Sequence, residues 1–175
     1  KMRDLRFDVF RGVLILVVVL GHTNSLPKSW LAIIYSFHMP AFFMLSGYLF
    51  NINSSSPLKE RIISKLKRLL YPAWILGSMC GVPFLIGAII ALDSSTTLVF
   101  FKKLFGTAIG FPTWTNTFNC TPLWFLFALF LTETIAILVT SKSKNINFLF
   151  AIGVLGVFAS QYIKFYTPLN LAIAL

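Results

Sequence analysis

The stretch Arg11-Gly-Val-Leu-Ile-Leu-Val-Val-Val-Leu-Gly-His22 decides the class of this chain. Nothing between its two ends is charged, so it reads as most of a membrane-crossing helix with a guanidinium at one end and an imidazole at the other. Eleven helical steps of about 100° return almost to the starting face, and a rise of about 1.5 Å per residue separates the two ends by roughly 16 Å. Asp4, Asp8 and Arg11 fall near the same stripe, because offsets of three, four and seven keep one helix face. An ionisable group within a span is costly and as a rule faces a cavity or a polar partner. His22 is therefore a candidate general base acting on a hydroxyl. The plainer alternative is a hydrogen-bonded, inert histidine close to the outer interface.

The rest of the chain agrees with that first helix. Of 175 residues, 57% are hydrophobic and only 11% are charged, whereas a soluble domain carries about a quarter charged residues. Nineteen Phe and four Trp suit lipid-facing and interfacial surface. In a soluble protein the formal net charge of +10 would suggest nucleic acid. Here the lysines and arginines are better explained as topogenic charge, and no nucleic-acid partner is expected. No small-residue cleavage site follows the first apolar run, and further long apolar runs come after it, so it is a retained span rather than a signal peptide.

Spans are predicted over residues 7–23, 30–50, 69–92, 123–139 and 148–163, with another beginning at Leu169. Each is near the ~20 residues that cross a hydrocarbon core. The expectation is an all-α, polytopic bundle of five to six transmembrane helices, one integral-membrane domain over residues 1–175, in a cell membrane. The chain stops at Leu175 inside an apolar segment, which reads as a C-terminal truncation. Orientation follows from the basic residues. With the N-terminus cytoplasmic, the inner segments hold Lys1, Arg3, Arg6, Arg11, Lys59, Arg61, Lys65, Lys67, Arg68, Lys142 and Lys144, and the outer ones only Lys28, Lys102, Lys103 and Lys164. That bias places the N-terminus inside. The long outer connection, 93–122, is expected to hold a short interfacial helix over residues 98–109, with Lys102 and Lys103 near headgroups, and then a loop.

Other chemistry-bearing residues each have two readings. Arg61, Lys65 and Arg68 share a helix face by their spacing, which suits phosphate binding or simply topogenic and anionic-lipid contact. His38, in Ser36-Phe-His-Met-Pro40, sits in the outer half of the second span and could line one pocket with His22, or pair structurally with a neighbouring helix. Pro40 frees a backbone carbonyl, which is tolerated where protein or water satisfies it again. Glu133, the acidic residue deep within a span, could orient a histidine or balance Arg68 or Arg11. Gly77-x-x-x-Gly81 allows close helix packing. Cys80 and Cys120 give no disulfide framework and no metal cluster by number or spacing, and no metal site is expected. The P-loop, the dinucleotide glycine fingerprint and HExxH are absent.

Taken in order, Asp8-Val-Phe-Arg-Gly12 through Val18-Val-Leu-Gly-His22, Phe37-His-Met-Pro40, Phe42-Phe-Met-Leu-Ser-Gly-Tyr-Leu-Phe50, Lys67-Arg-Leu-Leu-Tyr-Pro72 and Pro122-Leu-Trp-Phe-Leu126 resemble the acyltransferase-3 family of membrane O-acyltransferases, especially its fucose 4-O-acetylase-like branch. The resemblance runs over residues 6–130, the N-terminal half of such proteins. Arg11 and His22 match the family's Arg/Lys-x10-His signature, and Lys65-Leu-Lys-Arg68 matches its Arg-x-x-Arg motif with lysine in first place. The resemblance implies transfer of an acyl group, in the first instance acetyl, from acetyl-CoA as co-substrate to a carbohydrate hydroxyl of a surface glycan or related acceptor. It implies that Arg11, Lys65 and Arg68 hold the CoA phosphates and that His22, with His38 secondary and Glu133 a minor candidate, serves the chemistry as base or acyl carrier. The competing class is a transporter or scaffold with structural or proton-relay histidines. Oligomeric state is not legible.

Overall fold

Inside a bilayer each backbone amide has to be satisfied within the protein, which turns long apolar runs into helices. The computed structural model describes residues 5–23, 26–111, 113–145, 147–148 and 150–155, and among them there is no strand. The order is α1 (Leu5–Gly21), α2 (Lys28–Tyr48), α3 (Leu58–Ala91), α4 (Ser94–Ala108) and α5 (Trp124–Lys142), with single 3-10 turns at Trp114–Asn116 and Thr121–Leu123. The protein is all-helical. Three of the helices, α2, α3 and α5, are long and apolar enough to cross a membrane. Of the predicted fifth span, residues 150–155 are helical; residues 156–163 and the sixth segment from Leu169 lie outside the described residues.

The chain divides into two compact units, Lys1–Asn51 and Ile52–Leu175. In the first, α1 and α2 form an antiparallel hairpin. Phe7 near the start of α1 meets Tyr48 at the end of α2, with ring centroids 5.5 Å apart. At the other end Gly21 lies against α2 so closely that a Cβ there would come within 2.9 Å of Ile34. Leu14, Leu45 and His38 are buried in this hairpin, while Leu5, Val9, Leu16 and Val19 point outward, as suits lipid. Helix α2 runs through Pro40 without a break.

In the second unit the basic segment and the apolar run that follows are one continuous helix of 34 residues. Its length of about 51 Å at ~1.5 Å per residue exceeds the ~30 Å hydrocarbon core. Helix α5 packs against its first half, where Leu70, Ala73 and Phe127 form the centre, with Leu66, Leu126 and Phe130 around it. Leu92 ends α3 in the left-handed region at φ 48°, and Asp93 then caps α4, its carboxylate accepting from the Thr96 N–H. Hydrogen bonds from the Ser95 hydroxyl and backbone hold the Asp93 carboxyl below its ordinary range.

Helix α4 begins four residues before the expected interfacial helix and does not stand apart from the bundle: it folds back along the second half of α3. Trp74 of α3 donates its indole N–H to the Ala108 carbonyl at 2.9 Å. The physical reason is the small-residue face of α3. A Cβ on Gly77 would sit 2.5 Å from Thr107, and one on Gly81 would sit 2.9 Å from the Phe118 ring. Lys103 accordingly turns inward. Its ammonium donates to the Thr117 carbonyl at 2.8 Å and lies 5.0 Å from the centroid of the Phe84 ring.

Candidate functional site

In the first unit the last turn of α1 carries on to His22, whose backbone N–H bonds to the Val18 and Val19 carbonyls. Its ring then folds back along the helix, with Nδ1 2.8 Å from the Val18 carbonyl. His38 repeats the arrangement on α2, with Nδ1 2.7 Å from the Ile34 carbonyl. A carbonyl is only an acceptor, so each ring carries a proton on Nδ1, which puts the lone pair of the neutral imidazole on Nε2. The two differ in access: His22 is exposed and His38 only 3% exposed.

Between them stands Tyr35. Its ring meets His22 edge-on at a centroid distance of 5.9 Å and His38 at 5.6 Å, and its hydroxyl donates to the Gly21 carbonyl. The structure thus brings the two predicted histidines to one aromatic side chain. Tyr35 was not among the residues expected from sequence. The available signal was its offset of three from His38, which keeps one helix face. Gly21, with no Cβ, is what lets the end of α1 come this near to α2. Arg11 lies 3.9 Å from Asp8 one turn earlier, a loose and partly solvated pair.

In the second unit Lys65 and Glu133 form an ion pair at 2.9 Å, joining α3 to α5. Glu133 is 8% exposed. A carboxylate so far from water needs a cation held close. The sequence points to Arg68 or Arg11 as its balance; in the second unit Lys65 is a cation that reaches it. Lys65 adjoins Leu66 on the α5-facing side of α3, whereas the Arg68 side chain is exposed. The basic face thus splits: Lys65 is engaged with α5 and Arg68 is presented outward. Among the described residues no group of three or more His, Cys, Asp or Glu could hold a metal ion.

Comparison with known proteins adds the chemistry. A family model described as an acyltransferase domain, that of the acyltransferase-3 family, matches residues 4–171. The chain is 46% identical over 57 aligned positions to a nodulation protein, NolL, of Sinorhizobium fredii, covering 27% of this chain and 16% of that protein. It is 42% identical over 57 positions to the NolL protein of Mesorhizobium japonicum, covering 27% of this chain and 15% of that one. These matches take in well under two thirds of either relative's length. No solved structure matches the chain.

Proposed function

The chain belongs to the acyltransferase-3 family, and from that premise we propose that it is part of a multi-pass membrane O-acyltransferase, with the N-terminus cytoplasmic and five to six spans in this stretch. The reaction moves an acyl group, in the first instance acetyl, from acyl-CoA to a carbohydrate hydroxyl. The observation that carries this reading is the state of His22. Its Nδ1–H is committed to the Val18 carbonyl, its ring is exposed, and its Nε2 lone pair is the atom a general base uses. Nε2 takes the proton of the acceptor hydroxyl as the oxygen attacks the thioester carbonyl; the C–S bond then breaks, the ester is released, and the CoA thiolate leaves with the proton returned from Nε2. His38, held in the same tautomer but buried, supports the geometry across Tyr35. Glu133 is assigned to charge balance with Lys65 rather than to chemistry.

Anchoring of the CoA phosphates is assigned residue by residue. Arg68 is the principal donor in the second unit, since its guanidinium is outward and suited to forked hydrogen bonds with phosphate. Lys65 contributes less, because Glu133 already neutralises it. Arg11 takes the same role in the first unit, where its contact with Asp8 is long enough for a phosphate to compete.

The test is His22→Ala in the complete protein, with CoA release and acceptor acylation measured together. Transfer is expected to fall by about 10²-fold or more, the usual contribution of a positioned acid–base group. Normal acylation by the variant would overturn the reading. Movement of a saccharide across the membrane with no CoA release by the wild type would instead favour a transporter. An acyl-histidine trapped by acid quench would make His22 the carrier rather than the base.

A further inference from the structure

The loop between α4 and α5 is seated on α3 through one face. Gly77, Cys80, Gly81 and Phe84 share that face by offsets of three, four and seven. Gly77 receives Thr107 and Leu123, and Gly81 receives Phe118, whose ring also packs 5.4 Å from that of Phe84. The Phe118 N–H donates to the Thr107 hydroxyl at 3.1 Å, which fixes the loop at this level of α3. Cys120 follows two residues later, and its thiol turns back to the Phe118 carbonyl at 3.5 Å. Contacts on both sides of Cys120, at Phe118 and at Leu123, therefore hold it over the stretch of α3 that carries Cys80. Cys80 is thereby the neighbouring thiol of Cys120, and both are free.

We propose that Cys80 and Cys120 are a dithiol pair that closes to a disulfide and staples the α4–α5 loop to α3. Under the cytoplasmic N-terminus adopted above, both ends of this connection open to the outer side, where disulfides persist, and the loop reaches down from that side to the level of Cys80 in α3. The oxidant is an external disulfide, of a protein or a small thiol. The thiolate of Cys80, the more exposed of the two, attacks one sulfur of that disulfide, giving a mixed disulfide and releasing the first external thiolate. The Cys120 thiolate then attacks the Cys80 sulfur, forms the Cys80–Cys120 bond and releases the second. Two protons and two electrons leave the protein, and the external disulfide is reduced to two thiols. Burial, and secondarily the neighbouring Cys80, push the Cys120 thiol up to about 11. That assigns the first attack to Cys80 and the second, within the protein, to Cys120. The bond closes a loop of about 40 residues, which restricts the unfolded chain as well as the folded one.

The complete protein in native membranes is treated with N-ethylmaleimide before solubilisation and then digested with trypsin without reductant. Cleavage after Arg68, Lys102, Lys103 and Lys142 separates the peptides 69–102 and 104–142, so only a disulfide keeps Cys80 and Cys120 together. The expected result is the linked pair, two hydrogens lighter than the two peptides combined, released by reductant and absent from Cys80→Ser. Maleimide on both cysteines of the unreduced wild type, with no linked pair after treatment with oxidised glutathione, would overturn the proposal. The wild-type measurement decides the matter whether or not the variant accumulates. Unlinked peptides beside a His22→Ala variant that has lost acylation would overturn the staple alone, and linked peptides beside a normal His22→Ala phenotype would overturn the enzymatic reading alone.

Discussion

Tyr35 acts on two histidines at once, through its ring, and on the end of α1, through its hydroxyl. Tyr35→Phe keeps both ring contacts and removes only the hydrogen bond to the Gly21 carbonyl. One such bond is worth about 1 kcal/mol net, so kcat is expected to fall about fivefold, with KM for acyl-CoA unchanged. Tyr35→Ala also removes the ring between His22 and His38 and is expected to cost more than Tyr35→Phe in kcat. Steady-state kinetics on the complete protein checks both, and wild-type kcat in both variants would deny Tyr35 a positioning role. His22 and His38 were legible as candidates because an imidazole is conspicuous in an apolar run. Tyr35 was not, since one aromatic among many in a membrane chain says nothing until the neighbouring helix is in place. The same holds for Glu133. Its need for a cation followed from its burial, but the choice of Lys65 over Arg68 depends on how two helices are rotated against each other.

At the scale of elements, helical existence and type were readable from apolar length, because a bilayer leaves little else for such runs to form. The starting points of α1, α2 and α5 fall within two residues of expectation. Helix α3 starts earlier than the predicted span 69–92, because the basic segment that leads into it continues the same helix from Leu58. What was not legible is the fold of the 93–122 connection, whose position is set by distant contacts such as Trp74 with Ala108. Its tightness gives a direct test. A Cβ on Gly106 would fall 1.8 Å from the Asn116 carbonyl oxygen, whereas one on Gly87 has nothing within 4 Å. Gly106→Ala is expected to destabilise by about 1–3 kcal/mol or more, because backbone has to move. Gly87→Ala is expected to be neutral or to stabilise by up to ~1 kcal/mol through helix propensity. Thermal unfolding in detergent compares them. Equal effects would contradict the close seating of α4 against the Trp114–Asn116 turn.

For the whole molecule, the proposed orientation rests on the distribution of charge, and the ion pair between Lys65 and Glu133 bears on how it is realised. That pair sets the basic start of α3 level with the second half of α5, which ends in Lys142. The same side of the second unit therefore carries Lys59, Arg61, Lys65 and Lys142, the arrangement expected of a cytoplasmic face. The opposite end of α3, with the Asp93 cap and the start of α4, then faces outward. Truncation fusions to alkaline phosphatase, which is active only outside the cytoplasm, report the side of each connection. Fusions after Ser54 and after Asn145 are expected to be inactive, and a fusion after Thr115 active. The reverse pattern would invert the topology and place the α4–α5 loop in a reducing compartment. It would also move His22 to the cytoplasmic end of α1, so an acceptor on the outer face would no longer reach the proposed base.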